Sequence, residues 1–216
     1  MNLTLVHTSP VHVPVFDALR DADHPDLELR HVVREELLVR AGAEGPESVT
    51  GEVRALLEAA AADGADAVLC TCSTLGAVAE GLAADVGLPV LRVDRPMAAR
   101  AVAEGERIAV VATLRSTFGP TVGLVEEEAG RAGRAVEVRT VFVERAWDRF
   151  LAGDRDGYLA LVAEAIDGIA DADVVVLAQA SLTDAAERAR TTLPVLSSPR
   201  PGLGAAASEC ARAKRA

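Results

Sequence analysis

The sequence predicts an α/β protein of two similar lobes, each a four-stranded parallel sheet flanked by helices, related by a pseudo-twofold that records an internal duplication. Three observations carry that prediction. First, short runs rich in Val, Leu and Ile alternate with longer Ala-, Leu- and Glu-rich stretches. This βαβα rhythm implies parallel sheets with right-handed crossovers. Second, the short runs are continuously apolar, as strands covered on both faces are. Third, the order repeats. Leu88, Pro89, Val90 and Leu91, followed by Arg95 and Pro96, read against Leu193, Pro194, Val195 and Leu196, followed by Arg200 and Pro201. Upstream, Ala65, Asp66, Val68 and Leu69 match Ala172, Asp173, Val176 and Leu177 with one residue inserted. Earlier still, Val6, His7 and Thr8 match Val111, Ala112 and Thr113. Similar order at three places is the signature of a repeated unit.

The β-branched runs place strands at Leu3–His7, Leu27–Val33, Ala67–Cys70, Val90–Val93, Ile108–Thr113, Val136–Val143, Val174–Ala178 and Val195–Ser197. Between them, helices are expected at Pro14–Asp21, Glu47–Ala62, Leu75–Asp85, Pro96–Glu104, Thr117–Gly130, Arg155–Ile169, Leu182–Arg190 and Gly202–Ala213, with a short one at Glu144–Leu151. The repeats cover 1–94 and 105–199. The helices that follow each repeat's last strand are expected to cross to the other lobe. The first lobe is then 1–94 plus a C-terminal helix at 200–216, and the second is 95–199.

Half of the 216 residues are hydrophobic and only 3% are aromatic, so the core must be built from Ala, Val and Leu. A net charge of −11 argues against a nucleic-acid partner, which calls for a basic face. No apolar run reaches the roughly 20 residues that span a bilayer, and the first residues lack the features of a secretory leader. The expectation is a cytoplasmic protein with no membrane partner. Three cysteines, two of them one residue apart, make no disulfide framework. His12, His24 and His31 show no metal-ligand spacing with one another or with the cysteines. Neither a dinucleotide-binding glycine pattern nor a Walker-type loop is present, so no metal and no cofactor is expected.

In open parallel sheets ligands bind beyond the carboxyl ends of the strands. Those ends carry hydroxyls or a thiol almost throughout: His7 to Ser9, Thr71 to Thr74, Thr113 to Thr117, Gln179 to Ser181, and Ser197 with Ser198. Cys72 follows a buried strand and precedes a helix, where free N–H groups lower a thiol's pKa; a small buried hydrophobe is the plain alternative. Cys70 and Cys210 read as packing. Ser73 and Thr74 could cap the next helix or bind a carboxylate. Thr113, Arg115, Ser116 and Thr117 combine hydroxyls with a cation where a helix start can hold an anion. His7 could be an acid, a base or a hydrogen-bond donor, or a core histidine bonded to a neighbouring loop. Asp94 could orient a His or Arg, or merely occupy a turn.

Three of these segments resemble the aspartate/glutamate/hydantoin racemase superfamily. Val68 to Thr74, with Cys72, Ser73 and Thr74, resembles its first catalytic segment. Arg107 to Thr113, with Ser116 and Thr117, resembles its central segment. Val174 to Ser181 resembles its second catalytic segment. The resemblance implies a cofactor-independent enzyme, a homodimer, whose substrate is a small carboxylate or an amide such as a hydantoin. It further implies two thiols, one from each lobe, acting on opposite faces of the substrate's α-carbon. Cys72 matches the first. The second departs from the pattern, because Ala180 is read at its place. Thr8, Ser9, Ser73, Thr74, Thr113, Ser116, Thr117, Gln179 and Ser181, with His7, are then the expected substrate-binding residues. Racemisation, isomerisation, decarboxylation and binding without catalysis all stay open.

Overall fold

The computed structural model describes residues 1–215. It contains eight strands in two sheets: β1 (Asn2–His7), β2 (Glu28–Val33), β3 (Ala67–Cys70) and β4 (Val90–Arg92), then β5 (Arg107–Ala112), β6 (Glu137–Phe142), β7 (Val174–Leu177) and β8 (Val195–Leu196). Every strand pairing is parallel. The first sheet has the order β2-β1-β3-β4 and the second has β6-β5-β7-β8, the same order one repeat later. The two central strands of each sheet lie in the apolar interior. β3 and β7 are buried at every residue, which is why they read as continuous apolar runs.

The eleven α-helices among the described residues are α1 (Val13–Asp23), α2 (Glu35–Glu44), α3 (Thr50–Ala62), α4 (Ser73–Gly81), α5 (Ala83–Val86), α6 (Arg95–Glu104), α7 (Phe118–Ala132), α8 (Ala146–Leu151), α9 (Arg155–Asp167), α10 (Ala185–Arg188) and α11 (Pro199–Ala213). The chain divides into two compact units. One is Met1–Val93 together with the C-terminal stretch from Pro199; the other is Asp94–Ser198. In the first unit, Val53, Leu57, Leu75 and Val78 cover one face of the sheet, and Phe16, Leu203 and Ala206 cover the other. In the second unit, Met97, Val102, Leu124 and Val125 cover one face, and Tyr158, Leu159, Val162 and Ile166 the other.

Three expectations about elements need correction. The helix expected over Leu182–Arg190 is a 3-10 turn at Ala180–Leu182 followed by the single-turn α10. The helix expected over Leu75–Asp85 begins two residues earlier, at Ser73, and breaks at Leu82 into α4 and α5; Gly87, at φ +64°, closes the second piece in the left-handed conformation. Finally, α2 was not expected. It buries only Leu37 and Ala41, so its apolar face is too narrow to stand out as a helical period.

The duplication extends to hydrogen bonds. Asp66 accepts the backbone N–H of Asn2 at 2.7 Å, and Asp173 accepts that of Arg107 at 2.9 Å. Each carboxylate thereby ties the start of β3 or β7 to the start of the neighbouring central strand.

Candidate functional site

In the first unit, the carboxyl ends of β1 and β3 carry the expected residues. β1 delivers His7, then Thr8 and Ser9; Ser9 precedes a 3-10 turn at Pro10–His12. β3 delivers Cys70, then Thr71 and Cys72, and Cys72 is the N-cap of α4 with extended backbone (φ −101°, ψ 116°). The first-turn N–H groups of a helix have no partner within it, so a side chain at this position meets them. Cys72 makes no capping hydrogen bond through its side chain, but the Thr8 hydroxyl, the backbone N–H groups of Leu75 and Thr74, and the Thr74 hydroxyl lie near enough to its thiol to favour the thiolate. Ser73 and Thr74 are half-buried.

These four donors all favour the thiolate, yet burial outweighs them. Cys72 is 8% exposed, and loss of hydration pushes its thiol up rather than down. This corrects the expectation of a depressed thiol. At neutral pH Cys72 is a protonated thiol with a ready-made cradle for its conjugate base. Cys70 lies in the packed core, and its Sγ is 3.7 Å from the Cys72 carbonyl oxygen. Cys210 is fully buried in α11 and its thiol is pushed up to about 11, chiefly by burial.

His7 is fully buried. Its Nδ1 lies 2.8 Å from Thr71 Oγ1, and its Nε2 lies 2.8 Å from His31 Nδ1. Burial first, then the neighbouring His31 and His12, lowers its pKa to about 3, so the imidazole is neutral. No hydrogen bond joins His7 to Cys72; it supports the residue before it.

In the second unit, β5 ends at Ala112 and is followed by Thr113, which is buried. Thr117 is buried at the end of a 3-10 turn, whereas Arg115 and Ser116 are exposed. The Arg115 guanidinium lies 4.1 Å from the centre of the Phe142 ring. Gln179 Oε1 accepts the Thr113 N–H at 2.7 Å, the Thr113 hydroxyl at 3.0 Å and the Leu114 N–H at 3.3 Å. Three donors on one oxygen fix the amide's orientation and leave its NH₂ facing away from the β5 loop. Ser181 Oγ is 2.8 Å from Tyr158 Oη, so Ser181 is turned toward α9.

Strand register corrects the place assigned to Ala180. Cys70 pairs with Val6, and Leu177 pairs with Val111. The next N–H groups, of Thr71 and Ala178, each reach the carbonyl of those partners at 3.0 Å. Thr71 therefore corresponds to Ala178, and Cys72 to Gln179. Gln179 is the extended N-cap of its turn, as Cys72 is of α4. Even the threonines match: Thr8 favours the Cys72 thiolate and Thr113 bonds the Gln179 oxygen. The alignment with one residue inserted was off by one, because Val and Leu recur in both strands and the ladder alone sets the phase.

Sequence reading assigned no role to four residues near these ends, although it placed Thr71 at a strand end. Thr71 and Asp17 join His7 and His31 in one hydrogen-bonded chain. Tyr158 is 1% exposed and reads as ordinary helical core. Arg92, 4% exposed at the end of β4, lies against Gly76, where a Cβ would stand 3.0 Å from the Arg92 Cβ. The one available signal was His7 and His31 on adjacent predicted strands. Among the described residues, no group of three or more His, Cys, Asp or Glu could hold a metal ion, and no helix is long and apolar enough to cross a membrane.

Comparison with known proteins bears directly on this arrangement. A glutamate racemase from Francisella tularensis, solved with D-glutamate, superposes with a TM-score of 0.74 at 12% identity, covering 99% of this chain and 81% of that one. An allantoin racemase from Pseudomonas fluorescens gives 0.58 at 20% identity, covering 96% and 90%. An arylmalonate decarboxylase gives 0.60 at 18%, covering 97% and 92%. Identities this low establish the fold alone. None of the curated proteins matches the chain in sequence. The family model described as Asp/Glu/hydantoin racemase, however, matches residues 13–206. With the duplicated four-stranded parallel sheets and a model match over most of its length, the chain belongs to the Asp/Glu/hydantoin racemase family.

Proposed function

We propose that this protein is a cofactor-independent enzyme acting at the carbon beside a carboxylate or amide carbonyl of a small substrate, an amino acid, a hydantoin or a dicarboxylate, with Cys72 as its single acid/base thiol. The observation that carries this reading is the Cys72 cradle. Burial keeps the thiol protonated, while two hydroxyls and two backbone N–H groups nearby favour its conjugate base. As thiolate such a group takes the α-proton, leaving an enolate-like carbanion, and as the resulting thiol it returns a proton exchanged with water to the same face. Donors already beside the sulfur cost little reorganisation at the moment of transfer.

At the corresponding place in the second repeat stands Gln179, and an amide exchanges no proton in such a step. Its NH₂ group can instead donate hydrogen bonds to a substrate oxygen, and Thr113 holds it in the orientation that allows this. The reading is therefore one-sided proton transfer, as in a single-thiol isomerase or decarboxylase, rather than efficient racemisation. Candidate amino acids and hydantoins incubated in deuterium oxide should exchange the α-hydrogen of one enantiomer far faster than they invert. Cys72→Ala should abolish that exchange. Rapid racemisation by the native protein, or exchange surviving Cys72→Ala, would refute the single-thiol reading. A protein that binds these compounds and exchanges nothing would be a binding protein instead.

A further inference from the structure

The carboxyl end of the first sheet holds a second constellation that the reaction proposed above does not use. Four side chains form one continuous hydrogen-bonded chain. Asp17 Oδ1 on α1 lies 3.2 Å from His31 Nε2 on β2, His31 Nδ1 lies 2.8 Å from His7 Nε2, and His7 Nδ1 lies 2.8 Å from Thr71 Oγ1. The imidazole planes are 16° apart with centroids 5.1 Å apart. With nitrogens at 2.8 Å, that is an in-plane hydrogen bond and not a face-to-face stack. Thr71 Oγ1 also lies 3.1 Å from the Val6 carbonyl oxygen. Two other charged or titratable groups face the chain. They are Arg20, 3.8 Å from Asp17 Oδ1, and His12, whose ring centroid is 6.3 Å from that of His7. Phe16 packs against His7 with centroids 5.6 Å apart.

Donor and acceptor counting allows two arrangements that differ by one proton. In the first, the Thr71 hydroxyl donates to His7 Nδ1, His7 Nε2–H donates to His31 Nδ1, and His31 Nε2–H donates to Asp17. Both imidazoles are neutral, and Thr71 has no hydrogen left for Val6. In the second, one proton has been taken up from water. The hydrogen shared by the two rings stands on His31 Nδ1, and the added hydrogen stands on His7 Nδ1 and is donated to Thr71 Oγ1. The Thr71 hydroxyl now donates to the Val6 carbonyl. Here every contact in the chain, including the one to Val6, is matched. The positive charge rests on His31 beside the Asp17 carboxylate, while His7 is neutral in both arrangements.

We propose that Asp17, His31 and His7 are a proton-coupled positioning relay for Cys72: uptake of one proton reverses the hydrogen bonds along the chain and swings the Thr71 hydroxyl from His7 onto Val6, fastening the end of β3 directly before Cys72. Burial and the neighbouring histidines, which hold His7 near a pKa of 3, keep it from taking a second proton. Thr71 already donates its backbone N–H to the same carbonyl at 3.0 Å. The added bond therefore makes a two-point attachment between β1 and β3. The functional consequence rests on Cys72 being the working thiol, whereas the tautomer change does not.

The full chain labelled with nitrogen-15 would be followed by side-chain correlation spectra from about pH 5 to about pH 8, the range in which histidine ordinarily titrates. On acidification His7 should exchange its protonated nitrogen, Nε2 for Nδ1, while staying neutral. Thr71→Val leaves Nδ1–H without an acceptor, so His7 should keep Nε2–H at every pH; Thr71→Ser should restore the exchange. In parallel, iodoacetamide labelling of Cys72 should show an inflection at the same pH in the native protein and lose it in Thr71→Val. A single His7 tautomer throughout in the native protein, or an exchange persisting in Thr71→Val, overturns the relay. Tautomer exchange with no matching inflection at Cys72 overturns the positioning role. None of these readouts requires a substrate, so they stand apart from the α-hydrogen test of the proposed reaction.

Discussion

The thiol of Cys72 is a contest between burial and the nearby donors that favour its thiolate, and burial wins. Removing a donor should therefore move it further up. Thr8→Val removes one donor that favours the charged form and should slow alkylation of Cys72 at neutral pH. Peptide mapping after brief iodoacetamide treatment would measure it. The same experiment on the native chain should label Cys72 before Cys210, whose sulfur is fully buried and pushed up to about 11. His7 gives a second prediction at this scale. Its pKa falls from 6.5 to about 3 on folding, so between those values the unfolded chain binds more protons. Stability from this group is complete above pH 6.5 and is lost as pH falls toward 3, with a slope of at most about 1.4 kcal/mol per pH unit. Urea unfolding of His7→Gln should show a correspondingly weaker loss between about pH 6 and about pH 4; identical losses would show that His7 does not stay neutral. At this scale Cys72, His7 and Thr113 were legible as candidates because their residue types stand at strand ends. The direction of the Cys72 shift was not, since it depends on how many atoms exclude water from the sulfur.

Among the elements, α11 shows how tightly small residues are used. A Cβ on Gly202 would collide with the Val93 carbonyl oxygen and would stand 2.6 Å from Val93 Cγ2. The helix start is pressed onto the end of β4, and backbone cannot yield as a flexible side chain can. Gly202→Ala should therefore destabilise the first unit by about 1–3 kcal/mol, the usual cost of overpacking, whereas Gly204→Ala meets nothing closer than His24 Nε2 at 3.8 Å and should be near neutral. Thermal unfolding of the two variants side by side would check this. The strands β3 and β7 were readable because burial on both faces demands unbroken apolar runs. The helix α2 was not, since two buried residues leave no period to detect. The same reasoning covers the 182–190 stretch. Its composition is helical throughout, but Asp184 and Ala185 open a new turn after the 3-10 segment, and local propensity cannot foresee that break.

For the whole molecule, a net charge of −11 on 216 residues predicts self-repulsion that salt relieves. The urea midpoint should rise between about 0.01 M and about 0.15 M salt as the screening length falls from roughly 30 Å to roughly 8 Å. A midpoint that falls with salt would mean that ion pairs such as Arg95 with Glu127 at 3.2 Å outweigh the repulsion. The sequence alone determined the fold class, the eight strands, the doubling of the unit and the family, because each of these is written in the order of apolar runs and in short contiguous segments. Only the tertiary structure decided which residue of the second repeat answers to Cys72. Val and Leu can slide along one another without loss in a one-dimensional alignment. Parallel ladders cannot, because Cys70 must face Val6 and Leu177 must face Val111 for their hydrogen bonds to form. That register puts Gln179 at the thiol's place. It also gathers Asp17, His31, His7 and Thr71, separated by up to 64 positions in the chain, into one line of hydrogen bonds that no local pattern contains.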